Sequence, residues 1–340
     1  MKKAVILFNL GGPDKLESVE PFLFNLFNDA EILSIPSIFR YPLAKLISKR
    51  RAPIAKNIYK EIGNKSPILE LTQEQASSLE NKLSEKGDYR CFVVMRCWNP
   101  RAVDIIKKVK KFNPEEIILL PLYPQFSAAT SGSSINEWNA LCKKENFNVK
   151  TKTICCYPTE SNFVKSNSNL IKKNIQKIKN KNFKLLFSAH GLPEIKIKRG
   201  DPYQWQVEET VGKIMLELED MNLDHTISYQ SRVGPLKWIG PSTDDEIIKY
   251  SKEKRGIVIV PVAFVSEHSE TLVELDIEYK KLAEKNGCSF YERVPALGVE
   301  ENFVKALAKL ILKPEERGNF VSSLTCPNKF RKCPCRNVSI

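Results

Sequence analysis

The sequence predicts an α/β protein of two domains, each a largely parallel sheet flanked by helices. Three observations carry this. Short apolar runs of strand length alternate with longer amphipathic stretches along the chain. The alternation continues through both halves, so two similar domains fit better than one large one. The length of 340 residues also exceeds one core, at about 150 residues per domain.

Taken in order, the strand-like runs are Val5–Leu10, Cys91–Met95, Glu116–Pro121, Val149–Ile154, Lys184–Phe187, His225–Tyr229 and Gly256–Pro261. Between them lie Gln73–Lys86, Val103–Lys111, Ser161–Lys179, Gln206–Asp220, Thr271–Asn286 and Glu301–Leu312, with apolar residues at helical spacing. The expected division is 1–157, 158–318 and a cysteine-containing tail, 319–340. One segment breaks the pattern. Ile32 to Arg51 joins large apolar residues to two prolines and a basic end, Lys49-Arg50-Arg51. It reads as a helix packed on the core, or as an apolar lip. A lip would cover a cleft or touch a membrane surface, its basic end on anionic head groups.

Composition excludes several classes. The net charge of +13 comes from lysines spread along the chain, without an RNP-type motif, zinc-finger spacing or Arg-dense helix, so nucleic acid is not an expected partner. No segment is apolar for long enough to span a bilayer. The N-terminal run Ala4–Phe8 meets Gly11-Gly12-Pro13 too soon for a secretory signal and reads as a first strand. Nine cysteines without such a signal point to a reducing, cytoplasmic compartment rather than a disulfide scaffold.

Chemistry is expected at strand ends. Phe183–Phe187 ends in Ser188-Ala189-His190, followed by Gly191 and Pro193, which places His190 at the carboxyl end of a strand, where open α/β sheets bind ligands. His190 is one of three histidines. His268 and Glu270 likewise follow the strand ending at Pro261. If both strands share a sheet, two imidazoles and a carboxylate face one cleft, a set able to hold a divalent metal or move protons near neutral pH. Glu267, Glu270, Glu274 and Glu278 recur at helical spacing, the ordinary pattern of a solvated face. Trp238 lies between two Gly-Pro pairs in Ser231–Glu246, as a core residue or a platform for a flat ligand. A Gly-x-Ser-x-Gly elbow, a Gly-x-Gly-x-x-Gly turn and a His-Glu-x-x-His pair are all absent, which disfavours acyl-transfer, dinucleotide and zincin chemistry.

These residues together resemble the ferrochelatase family, whose members insert ferrous iron into a porphyrin. The matching pieces, in the same order, are Asn9–Pro13, Lys49–Pro53 with Tyr59 and Ser66-Pro67, Met95–Pro100, Tyr123–Ser127 with Thr130–Ser134, Phe187–Pro193 with Arg199–Tyr203, Val233–Glu246 and Phe264–Asp276. The resemblance implies a chelatase fold of two Rossmann-like domains with the active-site cleft between them. It implies His190 as the acceptor of pyrrole protons, Glu270 and His268 beside it, and His190 with Glu270 as the residues meeting substrate Fe²⁺. It also implies that Arg51, Tyr59, Ser66, Arg96, Tyr123, Trp238 and Phe264 line the porphyrin site.

The chemistry suits this set. A cleft must bend the flat macrocycle to expose nitrogen lone pairs, using binding energy. A base must take the protons. Imidazole and carboxylate hold Fe²⁺ without the grip of thiolates, while basic residues such as Arg51 suit propionates.

The tail, Cys326-Pro-Asn-Lys-Phe-Arg-Lys-Cys333-Pro-Cys335, is a poor zinc knuckle. It resembles the tails with which some ferrochelatases hold a [2Fe–2S] cluster. The animal-type fourth ligand would lie in the Ser127–Ser133 loop, but position 128 is Ala128, which leaves Cys155 or Cys156 as substitute. Cys91, Cys97, Cys142 and Cys288 read as ordinary thiols.

The expectation is a protoporphyrin ferrochelatase, with porphyrin and Fe²⁺ as partners, as monomer or homodimer, cytoplasmic or peripheral on the cytoplasmic face of the inner membrane. The alternatives are a coproporphyrin or cobalt chelatase and, from another class, a non-catalytic haem or iron carrier.

Overall fold

A computed structural model describes residues 1–179, 182–232, 234–314, 316–317 and 320–336; Val233, within one matched piece, lies outside these. In chain order the elements begin with β1 (Lys2–Asn9), α1 (Val19–Phe27), α2 (Ser37–Lys60) and α3 (Ile68–Ser84). There follow β2 (Asp88–Met95), α4 (Ala102–Phe112), β3 (Glu116–Pro121), α5 (Ser133–Lys144) and β4 (Lys150–Cys156). Next come α6 (Ser161–Ile175), β5 (Phe183–His190), α7 (Glu194–Lys198), α8 (Tyr203–Leu216), β6 (His225–Gln230), α9 (Thr243–Lys252) and β7 (Gly256–Pro261). A π-helix (Glu270–Glu278) continues into α10 (Tyr279–Lys285), followed by β8 (Tyr291–Arg293), α11 (Glu301–Leu312), β9 (Glu316–Arg317) and β10 (Phe320–Ser322).

Two compact units result. The first comprises Met1–Tyr123, Ser127–Cys155 and Leu307–Ser322; the second comprises Pro124–Phe126, Cys156–Ala306 and Ser323–Ile340. The units therefore exchange segments, where the sequence reading drew one crossing near 157. The physical reason is that β10 joins the first sheet beside β4 and carries the end of α11 with it.

The two sheets have the same plan. The first runs β2-β1-β3-β4-β10-β9, with β1 to β4 parallel; the second runs β6-β5-β7-β8, all parallel. Each starts at an inner strand, adds the next strand on one side and later ones on the other. Strand order thus reverses at β1 in the first sheet and at β5 in the second, the place where such sheets form a crevice at their carboxyl ends. Both inner strands are buried along most of their length (Ala4 to Phe8, Phe183 to Ala189) because helices cover both faces.

Differences from the sequence reading are local. β5 runs on through Ser188 and Ala189 to His190. The polar step stays in the strand because the buried Ser188 hydroxyl donates to Gln230 Oε1 at 2.7 Å and lies 3.2 Å from Thr243 Oγ1. The Ile32–Arg51 segment opens a 24-residue helix, α2, with Pro42 and Pro53 inside it. Its inner side is a narrow stripe, Ala44, Ser48, Ala52 and Tyr59, while Ile38, Phe39, Tyr41, Leu46 and Ile54 are exposed. Each proline removes one amide donor, and the carbonyls this leaves, on Ile38 and Lys49, belong to exposed residues that water reaches. Among the described residues no helix is long and apolar enough to cross a membrane.

Candidate active site

The carboxyl end of β5, flanked by β6 and β7, presents His190 at the reversal point of the second sheet. His190 Nδ1 lies 2.6 Å from the Gly191 carbonyl, which can only accept, so Nδ1 carries the hydrogen and Nε2 presents its lone pair. The loop after β7 supplies His268, whose Nδ1 lies 3.1 Å from the Ser266 carbonyl and is oriented in the same way. Both Nε2 atoms then face one atom: Glu270 Oε2 is 3.8 Å from His190 Nε2 and 3.8 Å from His268 Nε2. That oxygen is buried and, among the described residues, accepts no hydrogen bond. The His190 side chain is 41% exposed and His268 only 11%, so His190 is the member a ligand can reach.

Charges follow from this packing. Burial alone would raise the Glu270 carboxyl, but the charge of His190 once protonated and the contact with His268 outweigh it and hold it at about 2. For His268, burial opposes the charged form, yet Glu270 prevails and the imidazole is raised above its usual value.

Glu274 lies one turn beyond, and the solvated-face reading of these acids fails there. Its carboxylate accepts from Gln230 Nε2 at 2.9 Å, Ser231 N at 2.9 Å, Ser231 Oγ at 2.5 Å and Tyr279 OH at 3.1 Å. Burial, then the neighbouring Glu270, pushes its carboxyl up. Glu267 is tied to Arg293 at 2.9 Å, and of the four acids only Glu278 is exposed. The reason is the π-helix: its wider turn carries Glu270 and Glu274 on the side facing β6. Sequence reasoning missed Glu274, Gln230 and Tyr279. The spacing of Glu274 four residues after Glu270 was the available signal, but it is the spacing of any solvated helix.

Two expected pocket residues join this set. The Phe264 ring packs 4.7 Å from the His268 ring. Trp238 pairs with Pro193, and a Cβ built on Gly191 would lie 3.1 Å from its ring, so the indole stands beside the His190 turn.

The family model described as ferrochelatase matches residues 2–315. The ferrochelatase of Pelagibacter ubique is 65% identical over 344 residues, 99% of each chain. The chain belongs to the ferrochelatase family. The ferrochelatase of Rickettsia felis is 49% identical over 346 residues, again 99% of each chain. A structure of SirB from Bacillus subtilis with Fe³⁺ aligns at a TM-score of 0.55 and 13% identity, covering 92% of this chain and 94% of that one, which bears on the fold alone.

The remaining residues that the ferrochelatase resemblance implies lie in the first unit. Ser66 is buried against Gly12, where a built Cβ would fall 2.5 Å from Ser66 Oγ, just after the reversal strand β1. Arg96 follows β2, with Nη2 2.9 Å from Asp29, Nη1 3.2 Å from Glu137 and Nε donating to Ser133 Oγ at 2.7 Å. Its guanidinium is thus occupied within the protein. Tyr123 follows β3; burial pushes its hydroxyl up, with Ser134 opposing. Tyr59 is buried in α2, whereas Arg51 is exposed, over the Phe27 ring at 5.6 Å.

In the second unit the tail folds back on α8. Trp205 stacks on Phe330 at 5.2 Å and 24°. Lys332 N donates to the Gly200 carbonyl at 3.0 Å, and Gly200 has φ +91°, with Arg331 N only 2.7 Å from a built Cβ. This docking buries Cys326, Cys333 and Cys335. Cys156 joins them: Gln206 Nε2 lies 3.4 Å from Cys156 Sγ and 3.1 Å from Cys326 Sγ. Cys155 is the neighbouring residue of β4, and alternation along a strand sends its side chain to the other face. No disulfide joins the described cysteines. A hydrogen bond with Cys333, then burial, drives the Cys326 thiol far up. Among the described residues no three His, Cys, Asp or Glu side chains are arranged to hold a single metal ion.

Proposed function

We propose that this enzyme of the ferro-lyase type inserts Fe²⁺ into protoporphyrin IX, forming protohaem and releasing two protons. One observation carries the reading: two imidazole Nε2 atoms converge on one buried carboxylate oxygen at the reversal strand of a ferrochelatase-family chain. His190, the exposed member, takes pyrrole protons at Nε2. Glu270 stabilises the imidazolium that forms, and with His190 meets the incoming metal. His268, sealed and held by Ser266, keeps Glu270 ionised and in place. Trp238 and Phe264 offer aromatic faces to the macrocycle. For the first unit the family resemblance names Ser66, Tyr59, Tyr123, Arg96 and Arg51, of which Arg51 is an exposed cation able to pair with a carboxylate.

The test is metal insertion with protoporphyrin and coproporphyrin in competition. His190→Ala is expected to lower the rate by about 10²–10⁴-fold, the usual share of a general base, while porphyrin binding persists. An unchanged rate would favour a carrier. A preference for coproporphyrin would overturn the substrate assigned here.

Two finer readings go with it. Cys156, Cys326, Cys333 and Cys335 are the ligands of a [2Fe–2S] cluster. Cys156 and Cys326 share the Gln206 amide, Cys333 hydrogen-bonds to Cys326, and Cys335 is buried in the same tail, which supports this reading. Bound there, the cluster supplies one-electron redox capacity, and these residues tie the tail to β4 and α8. Anaerobically purified protein that is colourless and iron-free would end this reading. The exposed side of α2, with Ile38, Phe39, Leu46 and Ile54 beside Lys45, Lys49 and Arg50, is the contact with an anionic membrane surface. Co-sedimentation with anionic but not neutral vesicles, weakened by Phe39→Ser, tests it.

A further inference from the structure

Gln206 is fully buried in α8, and all its polar atoms are committed. Its Oε1 accepts the backbone N–H of Phe126 at 2.7 Å. That amide can only donate, so the carboxamide cannot be flipped, and the NH₂ group must face the other way. There it meets two sulfurs, Cys326 Sγ at 3.1 Å and Cys156 Sγ at 3.4 Å. The backbone holds this aim: Thr210 Oγ1 donates to the Gln206 carbonyl at 2.8 Å and accepts from Gln125 Nε2 at 2.9 Å. The next residue back, Trp205, clamps the tail through Phe330.

Spending both hydrogens of a buried amide on thiol sulfurs is poor use of strong donors, because thiols are weak acceptors. The arrangement makes sense if the acceptors are thiolates, for which each bond is charge-assisted. A metal cluster keeps its cysteines in that form.

We propose that Gln206 is a positioning and tuning residue for the four-cysteine site, donating one amide hydrogen to each of the Cys156 and Cys326 thiolates. This rests on the cluster reading above. Hydrogen bonds to ligand sulfur favour the more negative, one-electron-reduced state, so Gln206 raises the reduction potential of the cluster. It also bridges a ligand from β4 and a ligand from the tail, orienting them before iron arrives.

The experiment uses the full chain, purified anaerobically, with two readouts independent of porphyrin metalation. Dye-mediated titration of wild type, Gln206→Glu and Gln206→Met is expected to show lower midpoint potentials in both variants, with altered visible circular dichroism. Equal potentials in a folded variant would overturn the proposal. Pulsed electron paramagnetic resonance of the reduced wild-type cluster, with glutamine side chains labelled with ¹⁵N, covers the case where a variant fails to fold. Coupling to a glutamine amide nitrogen is expected, and its absence overturns the role of Gln206. Wild-type protein without iron or sulfide would sink the cluster reading itself and this inference with it, whereas a cluster present with unshifted potential removes only this inference.

Discussion

His190 Nε2 lies 3.8 Å from Glu270 Oε2, an oxygen closed to solvent and, among the described residues, without a hydrogen bond. Such an oxygen is a poor place to leave a negative charge unless positive charge arrives beside it. Proton uptake by the imidazole, or entry of a divalent cation, provides that charge. The pair is therefore set to gain from a proton or a cation placed beside that oxygen.

Glu270→Gln removes the anion that holds His268 above its usual 6.5. Histidine titration followed by nuclear magnetic resonance is expected to show the His268 value falling, since burial is then opposed only by the Ser266 carbonyl and the charge of Glu267. In wild type the Glu270 interaction contributes stability above its unfolded value of 4.5, lost as pH falls towards 2. That of His268 is full below 6.5 and lost as pH rises through the raised value. The variant should lose the first dependence and weaken the second, and an unmoved His268 titration would refute the pairing.

Glu274 has the opposite sign. Its carboxyl is pushed above 4.5, so the folded state holds a proton that the unfolded chain releases, and stability declines as pH rises past 4.5. Glu274→Gln, which mimics the protonated acid, should flatten that decline. Urea denaturation at pH 4.5 and pH 7 compares the slopes; parallel behaviour in the two proteins would contradict the burial argument.

Arg96 is 16% exposed and Asp29 5% exposed, joined at 2.9 Å. Arg96→Ala leaves the Asp29 carboxylate buried without its partner and should cost about 3–5 kcal/mol of stability. Thermal unfolding of the ligand-free protein reads this. A variant as stable as wild type but weak in porphyrin binding would show that Arg96 serves the substrate alone.

Gly200→Ala puts a methyl group 2.7 Å from Arg331 N at a φ of +91°. The tail should undock, with cleavage by trypsin at Arg331 or Lys332 faster than in wild type and far-ultraviolet circular dichroism preserved. Equal cleavage rates would mean that the tail does not depend on this contact.

Much of this was legible in the residues. Glu116–Pro121 and Gly256–Pro261 coincide with β3 and β7, because four consecutive aliphatic residues running into a proline leave a buried parallel strand little choice. His190 and Glu270 could be placed at strand ends because His190 closes β5 and Glu270 lies beyond the end of β7. The acids after Glu270 were misjudged for a physical reason: a π-turn and an α-turn differ in a backbone bond, not in a residue type, so Glu274 carries no mark of burial.

The primary sequence alone determined the α/β class, the alternation of strands and helices, and which titratable groups stand at strand ends, since period and punctuation are local properties. Only the tertiary structure decided that two imidazoles share one oxygen, that Cys156 rather than Cys155 faces the tail, and that Gln206 aims at sulfur. Those facts depend on which strands become neighbours and which face each side chain takes, and both are settled by contacts between residues distant in the chain.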